Sequence, residues 1–201
     1  MIELKNVTKT ISKKEILSNI NQQFDEGKCY LISGPNGCGK TMLLRMICGL
    51  IKPTTGEISG IKEKSFGVII ENPEFFKHET VLYNLKYLAS IRKKIDVKTI
   101  QKWLKVFNLY DQKNVRVGKL SLGMKQRLAL CQAFMENPDI LLLDEPFNAL
   151  DHENSIILKD IIENEKKNRK IIIIAAHNLS NDLFDLFDYQ IKMENGKIIK
   201  S

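Results

Sequence analysis

The sequence predicts an α/β fold with a mainly parallel sheet, an antiparallel β-subdomain and an inserted α-helical subdomain. Two apolar runs of strand length, Ile140–Leu143 and Ile171–Ala176, are nearly unbroken, as in parallel strands that are buried on both faces. Such runs alternate with segments that have the three-to-four apolar spacing of helices. The 201 residues suit a single domain, 1–201, and no Pro-, Gly- or Ser-rich linker divides them.

The predicted elements follow one another along the whole chain. Strands are predicted at Ile2–Val7, Asn19–Phe24, Cys29–Ser33, Phe66–Ile70, Ile140–Leu143 and Ile171–Ala176. Helices are predicted at Met42–Cys48, Val81–Ile91 and Val97–Phe107, then from Ser121 through Phe134, and from the residues after Asp151 to about Lys167. The apolar stripes of the second and third helices are more typical of a core than of a binding face.

Residues 34–41 have the pattern of a phosphate-binding loop. The run Gly34-Pro35-Asn36-Gly37-Cys38-Gly39-Lys40-Thr41 satisfies G-x-x-x-x-G-K-[ST] directly after a predicted strand and before a helix. Its glycines let backbone N–H groups point at phosphate oxygens, Lys40 reaches the β and γ phosphates, and the Thr41 hydroxyl can ligate Mg²⁺. The alternative, a glycine-rich turn that binds nothing, is disfavoured by the strand before it and the helix after it. The domain is therefore predicted to have a P-loop nucleotide-binding core.

Two adjacent carboxylates end the later buried strand. Asp144 at its tip can hold Mg²⁺, and Glu145 just beyond can take a proton from an attacking water. Taken alone, the pattern also fits a core strand that is closed by a solvated acidic turn. More chain separates these carboxylates from Lys40 than a minimal nucleotide-binding core needs, so we predict a helical insertion over approximately residues 72–136.

Residues 120–127, Leu-Ser-Leu-Gly-Met-Lys-Gln-Arg, open a predicted helix near the end of that insertion. Ser121 is a credible N-cap, and with Gly123 it can form a second anion site at a helix N-terminus. Read alone, the run fits a plain N-cap better than an anion site. This run resembles the L-S-G-G-Q signature of the ATP-binding cassette (ABC) family: Leu120, Ser121 and Gly123 match, whereas Leu122 and Met124 do not. Further on, residues 148–151 resemble the family's D-loop, and His177, after the next strand, resembles its switch histidine. Read alone, a histidine in that place is a polar strand end.

The resemblance implies ATP and Mg²⁺ as cofactors and ATP hydrolysis as the activity. The implied roles are Glu145 as base, His177 as γ-phosphate contact, Lys40 as charge stabiliser, and Asp144 with Thr41 as metal ligands. A second ABC subunit, identical or different, would complete each site with its Ser121 segment. The first strands and the closing strands, in 188–200, would form the antiparallel sheet.

Three positions depart from the family's pattern. Glu71 stands where a glutamine is common, and its carboxylate can still contact Mg²⁺ or the attacking water. Met42 replaces a second hydroxyl that would bind phosphate. Ile11 lies near the place of the aromatic residue that stacks on adenine, and it offers contact without a ring. Cys38, at a helix N-terminus beside Lys40, is either a reactive thiol or a small side chain that fills space.

The segment around Glu71, Phe75 and Phe76, together with residues 120–127, resembles the bacterial exporters of antibiotics and antimicrobial peptides. The implied protein is the ATPase subunit of such an exporter, bound to transmembrane subunits at the inner face of the cell membrane. Two alternatives are a soluble ABC ATPase that acts on ribosomes or DNA, and a weakly hydrolysing nucleotide-binding module. If one of the two phenylalanines is exposed, we expect it to contact the membrane subunit.

Composition limits other functions. The net charge of +7 comes mainly from scattered lysines that are not interleaved with aromatic residues, so no direct nucleic-acid partner is expected. The apolar runs are far shorter than the roughly 20 residues of a membrane helix, and the first residues lack an apolar signal core, which predicts a cytoplasmic protein. The four cysteines show no metal-binding spacing and indicate free thiols.

Overall fold

The computed structural model describes residues 1–71, 74–92, 95–177 and 179–200. The strands are β1 (Ile2–Ile11), β2 (Lys14–Phe24), β3 (Lys28–Ser33), β4 (Thr55–Ser59), β5 (Phe66–Ile69), β6 (Ile140–Asp144), β7 (Ile171–Ala175), β8 (Tyr189–Glu194) and β9 (Lys197–Lys200). The helices are α1 (Lys40–Ile47), α2 (Val81–Arg92), α3 (Val97–Val106), α4 (Leu122–Phe134) and α5 (His152–Lys167). The predicted α/β fold class is confirmed. Asn72 and Pro73, where the predicted insertion begins, lie outside the described residues.

Within the described residues, the strands form two sheets. The larger has the order β5-β6-β7-β3-β8-β9, in which β9 runs antiparallel to β8 and the other neighbours are parallel. The smaller is antiparallel, with the order β2-β1-β4. Because β3, β5, β6 and β7 are parallel, their carboxyl ends share one edge of the sheet, where ligands of open α/β sheets bind.

The central strands β3, β6 and β7 of the larger sheet are buried on both faces, as the unbroken apolar runs of β6 and β7 predicted. Leu141 and Leu143 of β6 pack with helices α2 to α5, whereas Ile140 and Leu142 pack with α1 and the smaller sheet. This division follows from the strand period of two. Each fully buried leucine or isoleucine contributes about 1.5–3 kcal/mol to folding, so the strand that carries the two candidate carboxylates is firmly anchored.

The first hairpin is longer than predicted. Ser12 and Lys13 join β1 to β2, with φ angles of 47° and 67°. A two-residue turn with both φ values positive is normally announced by Asn-Gly or Asp-Gly. Ser-Lys gives no such signal, so the outer half of the hairpin was not predicted. β4 was missed as well, since it is short and largely exposed.

The expectation that the closing strands join the antiparallel sheet is wrong. β8 instead pairs in parallel with β3, because Asp188 fastens the start of β8 to that strand. The backbone N–H of Asp188 donates to the Cys29 carbonyl at 2.9 Å, and its carboxylate accepts from the Cys29 N–H at 2.8 Å. The turn at Gly196 still contacts the smaller sheet, since its carbonyl accepts from the Ser18 N–H at 2.9 Å.

Helices α2, α3 and α4 lie between β5 and β6 in the sequence and pack on one face of the larger sheet. Leu85, Leu104 and Phe107 are fully buried, so the apolar stripes form core contacts as predicted. The extent of the helical subdomain, residues 72–136, remains a prediction. Across the described ranges, none of the helices combines the length and the apolar character that crossing a membrane requires.

Candidate nucleotide site

The loop between β3 and α1 has the geometry of a phosphate cradle. Gly34 and Gly39 have φ angles of 151° and 110°, in a region that L side chains rarely adopt. A Cβ on Gly34 would lie 2.2 Å from the Met193 carbonyl oxygen, and one on Gly39 would lie 2.6 Å from Leu17. Only glycine therefore fits at either position, and the backbone of the loop stays open toward the cavity beside it.

Lys40 is buried within this loop. Its ammonium donates to the carbonyl of Gly34 at 2.7 Å and to that of Pro35 at 3.3 Å. Because it is the first residue of α1, its backbone also lies at the positive end of that helix dipole. The loop thus holds a fixed positive charge where an anion would enter.

Cys38 belongs to the core rather than to the surface of the loop. Its side chain is 4% exposed and packs in the cluster that contains Leu17 and Leu43. A Cβ built on Gly34 would also meet its sulfur at 2.8 Å. The geometry favours the alternative that Cys38 fills a position that needs a small side chain.

Thr41 and Asp144 join the loop to the tip of β6. The Thr41 hydroxyl donates to Asp144 Oδ2 at 2.7 Å. Burial raises the pKa of Asp144, although the hydrogen bond from Thr41 and the charge of Lys40 oppose this rise. A hydroxyl and a carboxylate at this separation are hard oxygen donors, and such donors fit Mg²⁺.

Glu145 sits in a backbone conformation that turns its carboxylate toward His177. Its φ is 50°, and its N–H donates to the Ala175 carbonyl at 2.8 Å. The His177 backbone N–H donates to Glu145 Oε1 at 3.1 Å, and Nδ1 of the same histidine is in direct contact with that oxygen. The two side chains that the sequence singled out on neighbouring strands therefore meet.

A cleft of about 390 Å³ brings most of the predicted residues together. Its described lining consists of Ile16, Asn36, Gly37, Gly39, Lys40, Thr41, Met42, Arg45, Glu71, Asp144, Glu145 and His177. Ile16 is among these lining residues, and the contact of Ile11 with adenine stays a prediction. Ile11 is exposed near the end of the hairpin and is not among these lining residues. Glu71 forms an ion pair with Arg45, whose role the sequence did not reveal.

Ser121 and Gly123 form a separate feature. The Ser121 hydroxyl accepts from the Met124 N–H at 3.2 Å, which confirms the predicted N-cap of α4. A Cβ on Gly123 would lie 2.6 Å from the Ala149 carbonyl oxygen, so α4 packs closely on the segment that resembles the D-loop. Neither residue is among those described as lining the cleft.

Gln126 links α4 to the turn that carries Glu145, and sequence reasoning missed it. Its side-chain N–H₂ donates to the Pro146 carbonyl at 3.0 Å and, more weakly, to the Glu145 carbonyl at 3.4 Å. A second donor, the Asn148 N–H, reaches the Glu145 carbonyl at 3.1 Å. The turn is therefore held from two sides.

Comparison with known proteins identifies the family. Residues 17–148 match the family model described as ABC transporter. YybJ of Bacillus subtilis, an uncharacterized ABC transporter ATP-binding protein, is 42% identical over 98% of this chain and 94% of its own length. The chain belongs to the ABC transporter family. It is an ATP-binding subunit of the kind that hydrolyses ATP to power transport.

Two further ABC proteins extend the comparison. SrtF of Streptococcus pyogenes, a lantibiotic transport ATP-binding protein, is 34% identical over 99% of this chain and 89% of its own length. The solved dimeric structure of MJ0796, a bacterial ABC transporter cassette, superposes with a TM-score of 0.88 at 27% identity. That alignment covers 100% of this chain and 97% of the cassette.

Proposed function

We propose that this ABC subunit hydrolyses Mg-ATP in the cleft beside the phosphate-binding loop, with Glu145 as the base. The observation that carries the proposal is the meeting of Glu145 and His177 in the same cleft as Lys40, Thr41 and Asp144. Because His177 occupies Oε1 through both its N–H and its ring, Oε2 is the oxygen left to accept a proton.

The reaction is a displacement at the γ-phosphorus. A water oxygen bonds to phosphorus as the bond to the oxygen bridging the β and γ phosphates breaks, the water's proton passes to Glu145, and ADP leaves with that bond's electrons. Lys40 would exchange the carbonyls of Gly34 and Pro35 for phosphate oxygens. His177 holds the base through Oε1 of Glu145 and would contact the γ-phosphate.

The oxygens of Thr41 and Asp144 are proposed to hold Mg²⁺. When bound, this ion neutralises charge on the β and γ phosphates. Glu71 has the oxygen chemistry of a metal ligand, but its carboxylate is engaged by Arg45 at 2.7 Å. We therefore propose Thr41 and Asp144, and not Glu71, as the metal ligands.

A second subunit is proposed to complete each site. The Ser121 segment presents a helix N-terminus, with its capping serine and Gly123, outside the described lining of its own chain's cleft. In a dimer this segment would cover the nucleotide of the partner, since helix N-termini bind anions. The dimeric ABC transporter cassette described above supports this arrangement.

Glu145→Gln tests the catalytic assignment. The amide keeps the size of the side chain but cannot take a proton, so turnover should fall by about 10²- to 10⁴-fold while ATP still binds. ATP should then hold the variant as a dimer, measured by analytical ultracentrifugation with and without nucleotide. Glu57→Gln, on the exposed strand β4, is the matched control and should retain activity. A wild-type rate in the Glu145→Gln variant would refute the base assignment.

A membrane subunit is proposed to bind an exposed aromatic patch, defined as Phe76, Tyr83 and Tyr87. These side chains are 51%, 47% and 46% exposed. Tyr87 stacks on Tyr83 and meets Phe76 edge-on at 5.1 Å between centroids. Buried Asn84 fixes the loop, because it accepts from the Phe76 N–H at 2.8 Å and donates to the Phe76 carbonyl. Rigid aromatic side chains of this kind dominate interface energetics.

Phe76→Ala tests this contact. Because Phe76 is exposed whereas Phe75 packs against the core, the variant should keep its melting temperature and ATP binding yet co-purify less with a membrane subunit. Leu50→Ala, at another exposed apolar side chain, is the control and should co-purify normally. A large loss of thermal stability with unchanged co-purification would place Phe76 in the core.

The proposed cargo is an antimicrobial peptide or antibiotic, exported from the inner face of the cell membrane. SrtF, a lantibiotic transport ATP-binding protein, supports this class, and the alternative of a soluble ATPase on ribosomes or DNA has no such support. Deleting the gene should increase sensitivity to lantibiotics, and wild type, but not Glu145→Gln, should restore resistance. Unchanged sensitivity to lantibiotics and other peptide antibiotics would reject this cargo class.

A further inference from the structure

Arg45 and Glu71 form an ion pair at the cleft. Arg45 Nη2 lies 2.7 Å from Glu71 Oε1, within the range of a charge-assisted hydrogen bond. Arg45 follows Thr41 by one helical turn of α1, so both side chains project from the same face of the helix. The helix that begins in the phosphate-binding loop thus also carries the counter-ion of Glu71.

Glu71 adds negative charge where a polyanion binds. Asp144 and Glu145, two further carboxylates, line the same cleft as Glu71. The φ of Glu71 is 58°, so its backbone conformation is itself unusual for a residue with a side chain. Without a partner, its carboxylate would repel both the neighbouring carboxylates and the phosphates of ATP.

The pair is too exposed to matter much for folding. The side chains of Arg45 and Glu71 are 31% and 59% exposed, and such ion pairs add little to stability. Its charges nevertheless act on a ligand that carries several negative charges in a cleft. A function in nucleotide binding therefore explains the pair better than a function in stability.

We propose that Arg45 is a positioning residue that neutralises Glu71 and holds its carboxylate at the rim of the cleft, so that Mg-ATP binds without repulsion from position 71. The inference rests on the proposed Mg-ATP site. A glutamine at position 71 would need no counter-ion, and the dependence on Arg45 should therefore vanish when Glu71 is made neutral.

The test is a double-mutant cycle on the full chain. Arg45→Gln, Glu71→Gln and the double variant are compared with wild type for equilibrium binding of a fluorescent ATP analogue, with and without Mg²⁺. Arg45→Gln should weaken binding by about threefold to tenfold, the effect of a partly screened unit charge. Glu71→Gln and the double variant should bind within about twofold of wild type, or more tightly. Melting temperatures of the nucleotide-free proteins should stay unchanged.

The outcomes separate the possible roles. A double variant that binds as weakly as Arg45→Gln would show that Arg45 contacts the nucleotide itself and would overturn the proposal. A loss of affinity in Glu71→Gln that occurs only with Mg²⁺ would show that Glu71 is a metal ligand. Equal binding by all four proteins would show that the ion pair has no effect on nucleotide binding. Either result would also overturn the proposal. Failure of wild type to bind Mg-ATP would instead reject the proposed site.

Discussion

Gln126 offers a sharp test of how the base is positioned. Its side chain supports the Glu145 turn by donating to the backbone carbonyls of Glu145 and Pro146. Gln126→Leu keeps the approximate size of the side chain and removes both donors. Gln126→Glu is closer in shape but turns a donor into an acceptor that faces two carbonyl oxygens. We therefore expect both variants to lose activity, with Gln126→Glu affected more.

The magnitude follows from the contacts. The bond to Pro146 at 3.0 Å has good length and contributes about 1 kcal/mol, whereas the one to Glu145 at 3.4 Å adds little. The Glu145 carbonyl keeps the Asn148 N–H, but the positive φ of Glu145 costs about 1 kcal/mol or more to hold. The Glu145 turn would therefore lose about 1–2 kcal/mol of stabilisation. If this loss misplaces the base and raises the activation free energy by the same amount, kcat falls by about 5- to 30-fold.

The assay is steady-state ATP hydrolysis together with equilibrium ATP binding and thermal melting. We expect kcat to fall while the Kd for ATP changes less than twofold. Gln132→Leu, six residues further along α4 and thus about 9 Å away along the helix axis, is the control and should remain active. The Gln126→Glu to wild-type activity ratio should rise as pH falls toward about 4.3, where the acid regains a donor. Wild-type kcat in both variants, or equal losses in kcat, ATP affinity and stability, would refute the reasoning.

Two predictions concern stability. Burial raises the pKa of Asp144, so the charged carboxylate destabilises the fold at pH values above that pKa. Asp144→Asn should therefore raise the melting temperature at neutral pH and abolish hydrolysis. The gain in stability should disappear as the pH falls and the wild-type carboxylate becomes protonated. Burial alone would raise the pKa of Asp188, but the Cys29 N–H and the Lys166 ammonium lower it overall. Asp188→Asn should therefore cost about 1 kcal/mol at neutral pH, a difference that disappears as pH falls through the folded-state pKa; urea unfolding at several pH values checks this.

Much of the fold was predictable because its signals are local. The strands β6 and β7 are unbroken apolar runs, and the phosphate-binding loop needs glycine at positions that a short pattern specifies. The parallel pairing of β8 was not predictable in this way. It depends on Asp188 bonding to Cys29, residues that are far apart in the chain, and alternation in 189–194 fits an antiparallel hairpin equally well.

In the candidate site too, some residues could be predicted from local sequence signals and others could not. Four of the predicted site residues follow strands or loops whose ends lie at one edge of a parallel sheet: Thr41, Asp144, Glu145 and His177. Because ligands bind at this edge, the sequence alone could predict that these residues lie close together. Ile11 was assigned by position along the first hairpin. Ile11 pairs with Lys14 beside the turn and is exposed, whereas Ile16 on the return strand lines the cleft, so the contact of Ile11 with adenine stays a prediction.

Gln126 and Ser121 lie on one helix, and this connects two parts of the site that the sequence treats separately. Ser121 caps α4, and Gln126 projects from the same helix to the carbonyls of the Glu145 turn. A helix moves as a rigid unit, so displacing the Ser121 segment toward a nucleotide must either carry that turn along or break its bonds to Gln126. The hydrogen bonds of Gln126 therefore couple the position of Glu145 to that of the Ser121 segment, which would contact the nucleotide of the partner subunit. Replacing Gln126 should remove this coupling while the phosphate-binding loop and the Ser121 segment each keep their contact with a nucleotide.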